Sequence, residues 1–277
     1  MQRILVDQAD ISRARLDTDN AAGAPLADGA ARLRIESFAL TVNNVTYAAA
    51  GFVLDYWRFF PSGITGQGIV PVWGTATVTD SNLDALAVGT RLYGYLPMAD
   101  ELVIRPEQTA AGVFVDHSPH RDGLPLVYNT YVAVKPGVAR DDHLRSLLQP
   151  LLATSYLLYD WLADNIWFGA EQIIVGSASS KTGLGLCTFL AEPADRPYRI
   201  VGLTGAGNRD FVTRQNVCDQ VLTYDQIDQL AQVPSVYVDM SGLCLECGGN
   251  SLAAISEWFD LHLIRLRGQV SWARWVG

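Results

Sequence analysis

Glu171–Leu190, EQIIVGSASSKTGLGLCTFL, holds the residues of this chain best suited to grip a ligand. The apolar run Ile173, Ile174 and Val175 predicts a buried strand, and a helix is predicted from Lys181 onward. Between them lie Gly176, Ser177, Ala178, Ser179 and Ser180, small residues that let a ligand approach the backbone. A strand, a tight turn and a helix N-terminus aim N–H groups at one point, the geometry that receives a phosphate.

Two nucleotides compete for this turn. A P-loop requires Gly, four residues, then Gly-Lys-Ser/Thr. Gly176 and Lys181-Thr182 are one residue too close for that pattern, and Ser180 stands where it has glycine; Asp239 would then be the acid beside magnesium. A dinucleotide fold needs small residues facing the pyrophosphate and a later glycine where helix meets sheet. Ser177, Ser179, Ser180 and Gly183 meet that steric need without the strict glycine fingerprint. A third reading is a turn that only joins two elements.

The tip of the next predicted strand, Arg199–Thr204, discriminates between them. It runs Thr204-Gly205-Ala206-Gly207-Asn208-Arg209, with no acid. An acid there would bind the 2′-OH of NAD and repel a 2′-phosphate. A hydroxyl, an amide and a guanidinium (Thr204, Asn208, Arg209) point to NADP(H) instead. Lys181 then becomes a candidate partner for the pyrophosphate or the 2′-phosphate.

These residues need elements to hold them, and 277 residues are enough for two domains with separate cores. Residues 1–141 read as β-rich, with strands expected at Arg32–Leu40, Pro71–Thr79 and Leu92–Leu96. Asp116–Tyr131 is too polar and Pro-rich for a regular strand, and its Tyr128, Asn129 and Tyr131 are candidate site residues. Residues 142–277 open with a helix over Asp142–Asp164, with a kink expected at Pro150. Strands follow at Gln172–Ser177, Arg199–Thr204, Gln220–Tyr224, Ser235–Ser241 and Leu261–Trp272. Helices are expected between several of them, such as Thr182–Ala191 and Leu252–Phe259. That alternation predicts an α/β chain ending in a doubly wound parallel sheet of Rossmann type.

Hydrophobic residues make up 49% and charged residues 18%, which excludes a disordered chain. The net charge of −9 argues against a nucleic-acid partner. No apolar run reaches the ~18 residues of a membrane span, and MQRILVDQADISRAR has no signal-peptide core. A cytoplasmic protein with a small-molecule partner is expected. Of Cys187, Cys218, Cys244 and Cys247 only the last pair is close, with no zinc-knuckle companions, so no metal is expected. His117 and His120 read as surface residues.

In order along the chain, ESFALTVNNVTYA, PVWGTATVTDSNLDALAVGTRLYGY, Leu151–Asp164 and GAEQIIVGSASSKTG resemble the medium-chain dehydrogenase/reductase superfamily. With YWRFFP and YGYLPMA they look like an uncharacterised bacterial branch of it. The resemblance implies a barrel-like, GroES-like N-terminal domain ahead of the Rossmann domain. No cysteine precedes Cys187 and the first histidine is His117, so the likeness is to the zinc-independent, quinone- and enoyl-reductase-like side. It implies an NADP(H)-dependent oxidoreductase for a small carbonyl or α,β-unsaturated carbonyl compound, and a homodimer. Asn43, Asn44 and Tyr47 fall in the segment that faces the nicotinamide in the superfamily. Gly268 and Gln269 fall where it places carboxamide contacts, and the superfamily's C-terminal return segment is expected to be absent. The alternative is an NADP-binding protein without turnover, or a non-redox enzyme on the same scaffold.

Overall fold

The computed structural model describes residues 1–18, 25–135 and 139–240, and the backbone of 261–265. It divides into two compact units, Met1–Leu147 and Leu148–Gly277.

The first unit is built on antiparallel sheets. Seven strands lie in the order Glu101–Ile104, Ala31–Ala39, Pro71–Ser81, Arg91–Pro97, Thr130–Ala133, Val113–Asp116 and Pro106–Ala110. Register shifts between Arg32 and Leu33 and between Ile35 and Ser37 mark bulges that help curl this sheet into a half-barrel. Leu33, Val72, Ala76, Val78, Leu92, Leu96, Phe114 and Tyr131 fill its core. Gly94 is needed there, since a Cβ would sit 2.4 Å from the Tyr131 ring. Tyr131 thereby crosses the sheet closely enough to donate its hydroxyl to the Tyr95 carbonyl at 2.7 Å. A second sheet joins Ala14–Thr18, Gln2–Asp7 and Gln67–Gly68.

The helix Ala139–Asp164 runs through Pro150 and leaves the first unit at Leu147. Arg91 anchors its start, reaching Glu36 and Asp142 at 2.7 Å each.

In the second unit five parallel strands lie in the order Gln220–Thr223, Arg199–Thr204, Gln172–Gly176, Ser235–Asp239, Leu261–Arg265. All five residues of Gln172–Gly176 are buried, as expected of a strand covered on both faces. The sequence order reverses beside that strand, and open α/β sheets bind ligands at the carboxyl ends of their strands at such a point. The turn after Gly176 sits there. The fold is thus a GroES-like half-barrel unit and a Rossmann unit. Among the described residues no helix is long and apolar enough to cross a membrane.

Candidate functional site

The turn achieves its shape with serine in place of glycine. Ser177 adopts a left-handed backbone, φ 51°, which an L-residue tolerates at some cost. Bonds on both sides hold it: its N–H donates to the Tyr224 hydroxyl at 2.8 Å, and its carbonyl accepts from Ser180 N–H at 2.8 Å. Ala178 N–H donates to the Leu203 carbonyl at 2.9 Å, so the turn is bound to the neighbouring strand. Ser180 caps the helix Lys181–Ala191, its Oγ accepting from Gly183 N–H at 3.0 Å. The N–H groups of Ser179, Lys181 and Thr182 make no such bond among the described residues. They are the turn's available donors, reinforced by the helix dipole.

Thr204, fully buried, donates its hydroxyl to Ser179 Oγ at 3.0 Å, tying the second strand's tip to the turn. Asn208 and Arg209 are exposed beyond it, and Lys181 is exposed at the helix start. A Cβ on Gly183 would lie 2.5 Å from the Ser177 carbonyl oxygen, so the helix packs against the turn only with glycine there. Sequence reasoning does not single out Tyr224; it follows directly on the third parallel strand, Gln220–Thr223, and only the sheet order brings it to Ser177. Burial raises its phenol above the ordinary value, as it does that of Tyr237.

In the first unit the segment that carries Asn43, Asn44 and Tyr47 is a helix, Val42–Ala49. Thr41 starts it: its Oγ1 accepts from Asn43 N–H, and its own N–H donates to Asn44 Oδ1 at 2.7 Å. The Asn44 amide also donates to the Pro71 carbonyl at 2.9 Å, pinning the helix to the half-barrel sheet. Asn44 therefore spends its amide on structure, and Asn43 is only partly buried at the first turn.

Tyr47, on the buried face of that helix, accepts from Trp73 Nε1 at 3.3 Å. Tyr128 comes from the expected irregular stretch and meets the Tyr56 hydroxyl at 3.3 Å. Tyr47, Tyr56, Tyr95 and Tyr128 pack as one group, with ring centroids 4.8 Å apart for Tyr47–Tyr56 and 4.7 Å for Tyr95–Tyr128. Sequence reasoning missed Tyr56 and Tyr95. His117 faces Glu107 at 3.5 Å, and among the described residues no His, Cys, Asp and Glu cluster is placed to hold a metal. Gly268, Gln269, Cys244 and Cys247, and the helix expected over Leu252–Phe259, lie outside the described residues.

Burial raises the phenols of Tyr56, Tyr93, Tyr95 and Tyr128 above the ordinary value of 10. In the unfolded chain they ionise near 10, so above that pH the unfolded state sheds protons that the folded state keeps. Their stabilisation is complete below pH 10 and is lost as pH rises from there toward the raised folded values. Melting temperature should accordingly hold steady up to about pH 10 and fall above it. Tyrosinate absorbance of this cluster should appear with unfolding and not before. Ionisation of all these phenols near pH 10 in the folded protein would contradict the burial.

The family described as Protein of unknown function (DUF2855) matches residues 38–246. The chain belongs to that family. No curated protein matches the sequence. Among solved structures, this DUF2855 member resembles CurA from Vibrio vulnificus in complex with NADPH, at TM-score 0.54 and 13% identity over 96% of this chain and 72% of that one. The quinone oxidoreductase from Coxiella burnetii aligns at TM-score 0.53 and 11% identity over 97% and 83%. Galactitol-1-phosphate dehydrogenase from Escherichia coli aligns at 0.53 and 13% over 100% and 86%. At such identities the likeness shows a shared fold, and it is the two-unit fold of medium-chain oxidoreductases.

Proposed function

We propose that this DUF2855 protein is an NADP(H)-dependent, zinc-independent oxidoreductase acting on a small carbonyl, α,β-unsaturated carbonyl or quinone compound. The observation that carries the reading is the turn at the switch point of the parallel sheet. Its Ser179, Lys181 and Thr182 N–H groups are available, and Gly183 keeps the helix close. That cradle fits a pyrophosphate. The Thr204–Arg209 tip, which has no carboxylate, fits a 2′-phosphate. CurA and the quinone oxidoreductase, which share the fold, are consistent with this reading. Zinc independence is supported by the absence of Cys and His from residues 1–116.

When bound, NADPH supplies a hydride. The chain's own residues orient and polarise. Ser177, held by Tyr224, fixes the turn; Ser179, Ser180, Lys181, Thr182 and Gly183 surround the pyrophosphate; Thr204, Asn208 and Arg209 receive the adenosine end. Gly268 and Gln269 are assigned to the carboxamide. Asn44, with Asn43 in the same first turn, fixes the helix that presents Tyr47. Tyr47 and Tyr128 are the hydroxyls of this reading that polarise a carbonyl oxygen.

Titration with NADPH, NADH and magnesium-ATP tests the assignment, with NADPH expected to bind tightest. Preference for ATP would overturn it. Removing the guanidinium in Arg209→Ala should weaken NADPH roughly tenfold, the worth of one charge-assisted hydrogen bond, and leave NADH nearly unchanged. Equal losses for both would contradict the 2′-phosphate role. Failure to oxidise NADPH across a panel of quinones, enones and aldehydes would sink the redox part while leaving the binding assignment intact.

A further inference from the structure

Two thiols meet in the core of the second unit. Cys187 lies on the helix Lys181–Ala191 and is fully buried. Cys218 lies between the helix Arg209–Gln215 and the strand Gln220–Thr223 and keeps partial exposure. Neither is bridged. The Cys218 sulfur points inward: it is 3.0 Å from where a Cβ on Gly202 would stand, a point 3.1 Å from Ala178 Cβ and 3.6 Å from Val212 Cγ1. Glycine at 202 thus leaves that sulfur its room. Ala178, Val212 and Cys187 belong to one apolar cluster, and Cys218 packs against it. There the two thiols reach each other, the Cys187 thiol donating a hydrogen bond to the Cys218 sulfur. Two free thiols in contact on separate elements have a chemistry that two alanines would lack, oxidation to a disulfide.

We propose that Cys187 and Cys218 form a reversible oxidation site, at which a peroxide converts the pair to a disulfide. No step of it uses NADPH, so it stands apart from the cofactor reading. The reaction runs in two displacements. The Cys218 thiolate attacks one oxygen of hydrogen peroxide; an S–O bond forms, the O–O bond breaks, and the leaving hydroxide takes up the proton that the thiol released. The Cys187 sulfur then attacks the Cys218 sulfur; an S–S bond forms, the S–O bond breaks, and hydroxide leaves as water with the Cys187 proton. The two thiols lose two electrons in all, and peroxide is reduced to two waters. Which cysteine does which follows from thiolate character and access. Cys218 has the access, and the hydrogen bond it accepts from Cys187 lowers its thiol below the ordinary value against the opposing effect of burial. The adjoining Asp219 also opposes a second negative charge, but Arg196 at 2.6 Å and Ile200 N–H at 2.7 Å engage that carboxylate. Cys187 donates the bond and is buried, so it stays a thiol and resolves the intermediate. Redox-sensing thiols share this arrangement, an accessible acidified sulfur beside a resolving one.

The test treats the folded full chain with hydrogen peroxide, blocks the remaining thiols with iodoacetamide, and cleaves before aspartate without reductant. That cleavage puts Cys187 in Asp164–Ala194 and Cys218 in Asp210–Cys218, apart from Cys244 and Cys247. Mass spectrometry should find the two peptides joined and lighter by two hydrogens, and dithiothreitol should release them. Cys187→Ser should stop the reaction at a sulfenic acid on Cys218, one oxygen heavier and trapped by dimedone. Cys218→Ser should leave Cys187 reacting roughly tenfold more slowly or less, as an inaccessible thiol does. Separate oxygen adducts without a Cys187–Cys218 link, or Cys187 in Cys218→Ser reacting as fast as Cys218 does, would each overturn the proposal. The linkage in wild type needs no substitution, so a variant that misfolds leaves the decision intact.

Discussion

Replacing Gly183 with alanine should abolish tight NADPH binding, whereas the same change at Gly207 should leave it intact. Helix propensity alone argues the other way, since alanine in place of glycine inside a helix gains about 1 kcal/mol. Sterics decide the outcome. The new Cβ would lie 2.5 Å from the Ser177 carbonyl oxygen and 3.1 Å from Ala178 Cα, and both are backbone atoms. Ser177 has little freedom to retreat, because Tyr224 holds its N–H and Ser180 binds its carbonyl. Overpacking of this kind costs roughly 1–3 kcal/mol, so propensity is at best cancelled. The strain falls on the turn whose Ser179, Lys181 and Thr182 N–H groups are assigned to the phosphates. Displacing two charge-assisted hydrogen bonds corresponds to about a 100-fold loss of affinity or more. Gly207 has nothing within 4 Å of its added Cβ, so it controls for loss of glycine as such. Fluorescence titration with NADPH checks both variants, and wild-type affinity in Gly183→Ala would show that the turn is not the phosphate cradle.

Three strands of the second unit are legible in the sequence nearly to the residue, and the reason is burial. Gln172–Gly176, Arg199–Thr204 and Ser235–Asp239 are covered on both faces, so their apolar runs are continuous and their ends abrupt. The first unit was harder. The sequence reading places no helix over Val42–Ala49. The structure makes it a helix because Thr41 and Asn44, three residues apart, close a capping box. Asparagine in that second position is a weaker signal than Glu or Gln, yet it was present in the sequence. Tyr56 and Tyr95 gave no signal at all. Their meeting with Tyr47 and Tyr128 depends on a curled sheet and three separate helical segments arriving together, which no local pattern encodes. Tyr224 is the same kind of case, since its partner Ser177 lies 47 residues away, in the turn after a strand two places along the sheet.

Breaking the buried Arg121–Asp116 pair should destabilise the first unit more than any other single substitution considered above. Both side chains are only 1% exposed, with Arg121 Nε 3.1 Å from Asp116 Oδ2. The other carboxylate oxygen accepts from Arg105 N–H, Ser118 N–H and the Ser118 hydroxyl at 2.9, 2.9 and 2.7 Å. The guanidinium lies 4.7 Å from the Phe60 ring centroid and donates to the Tyr128 carbonyl at 3.3 Å. Arg121→Met preserves much of the stem but leaves a desolvated carboxylate with no cation, at a cost of ~3–5 kcal/mol. The double variant Asp116→Asn, Arg121→Met removes both charges and should recover a large part of that loss, because an uncompensated buried charge dominates the single-variant penalty. Urea unfolding followed by tyrosine and tryptophan fluorescence measures both. A single-variant loss below about 1 kcal/mol, the range of exposed pairs, would mean that water reaches the pair.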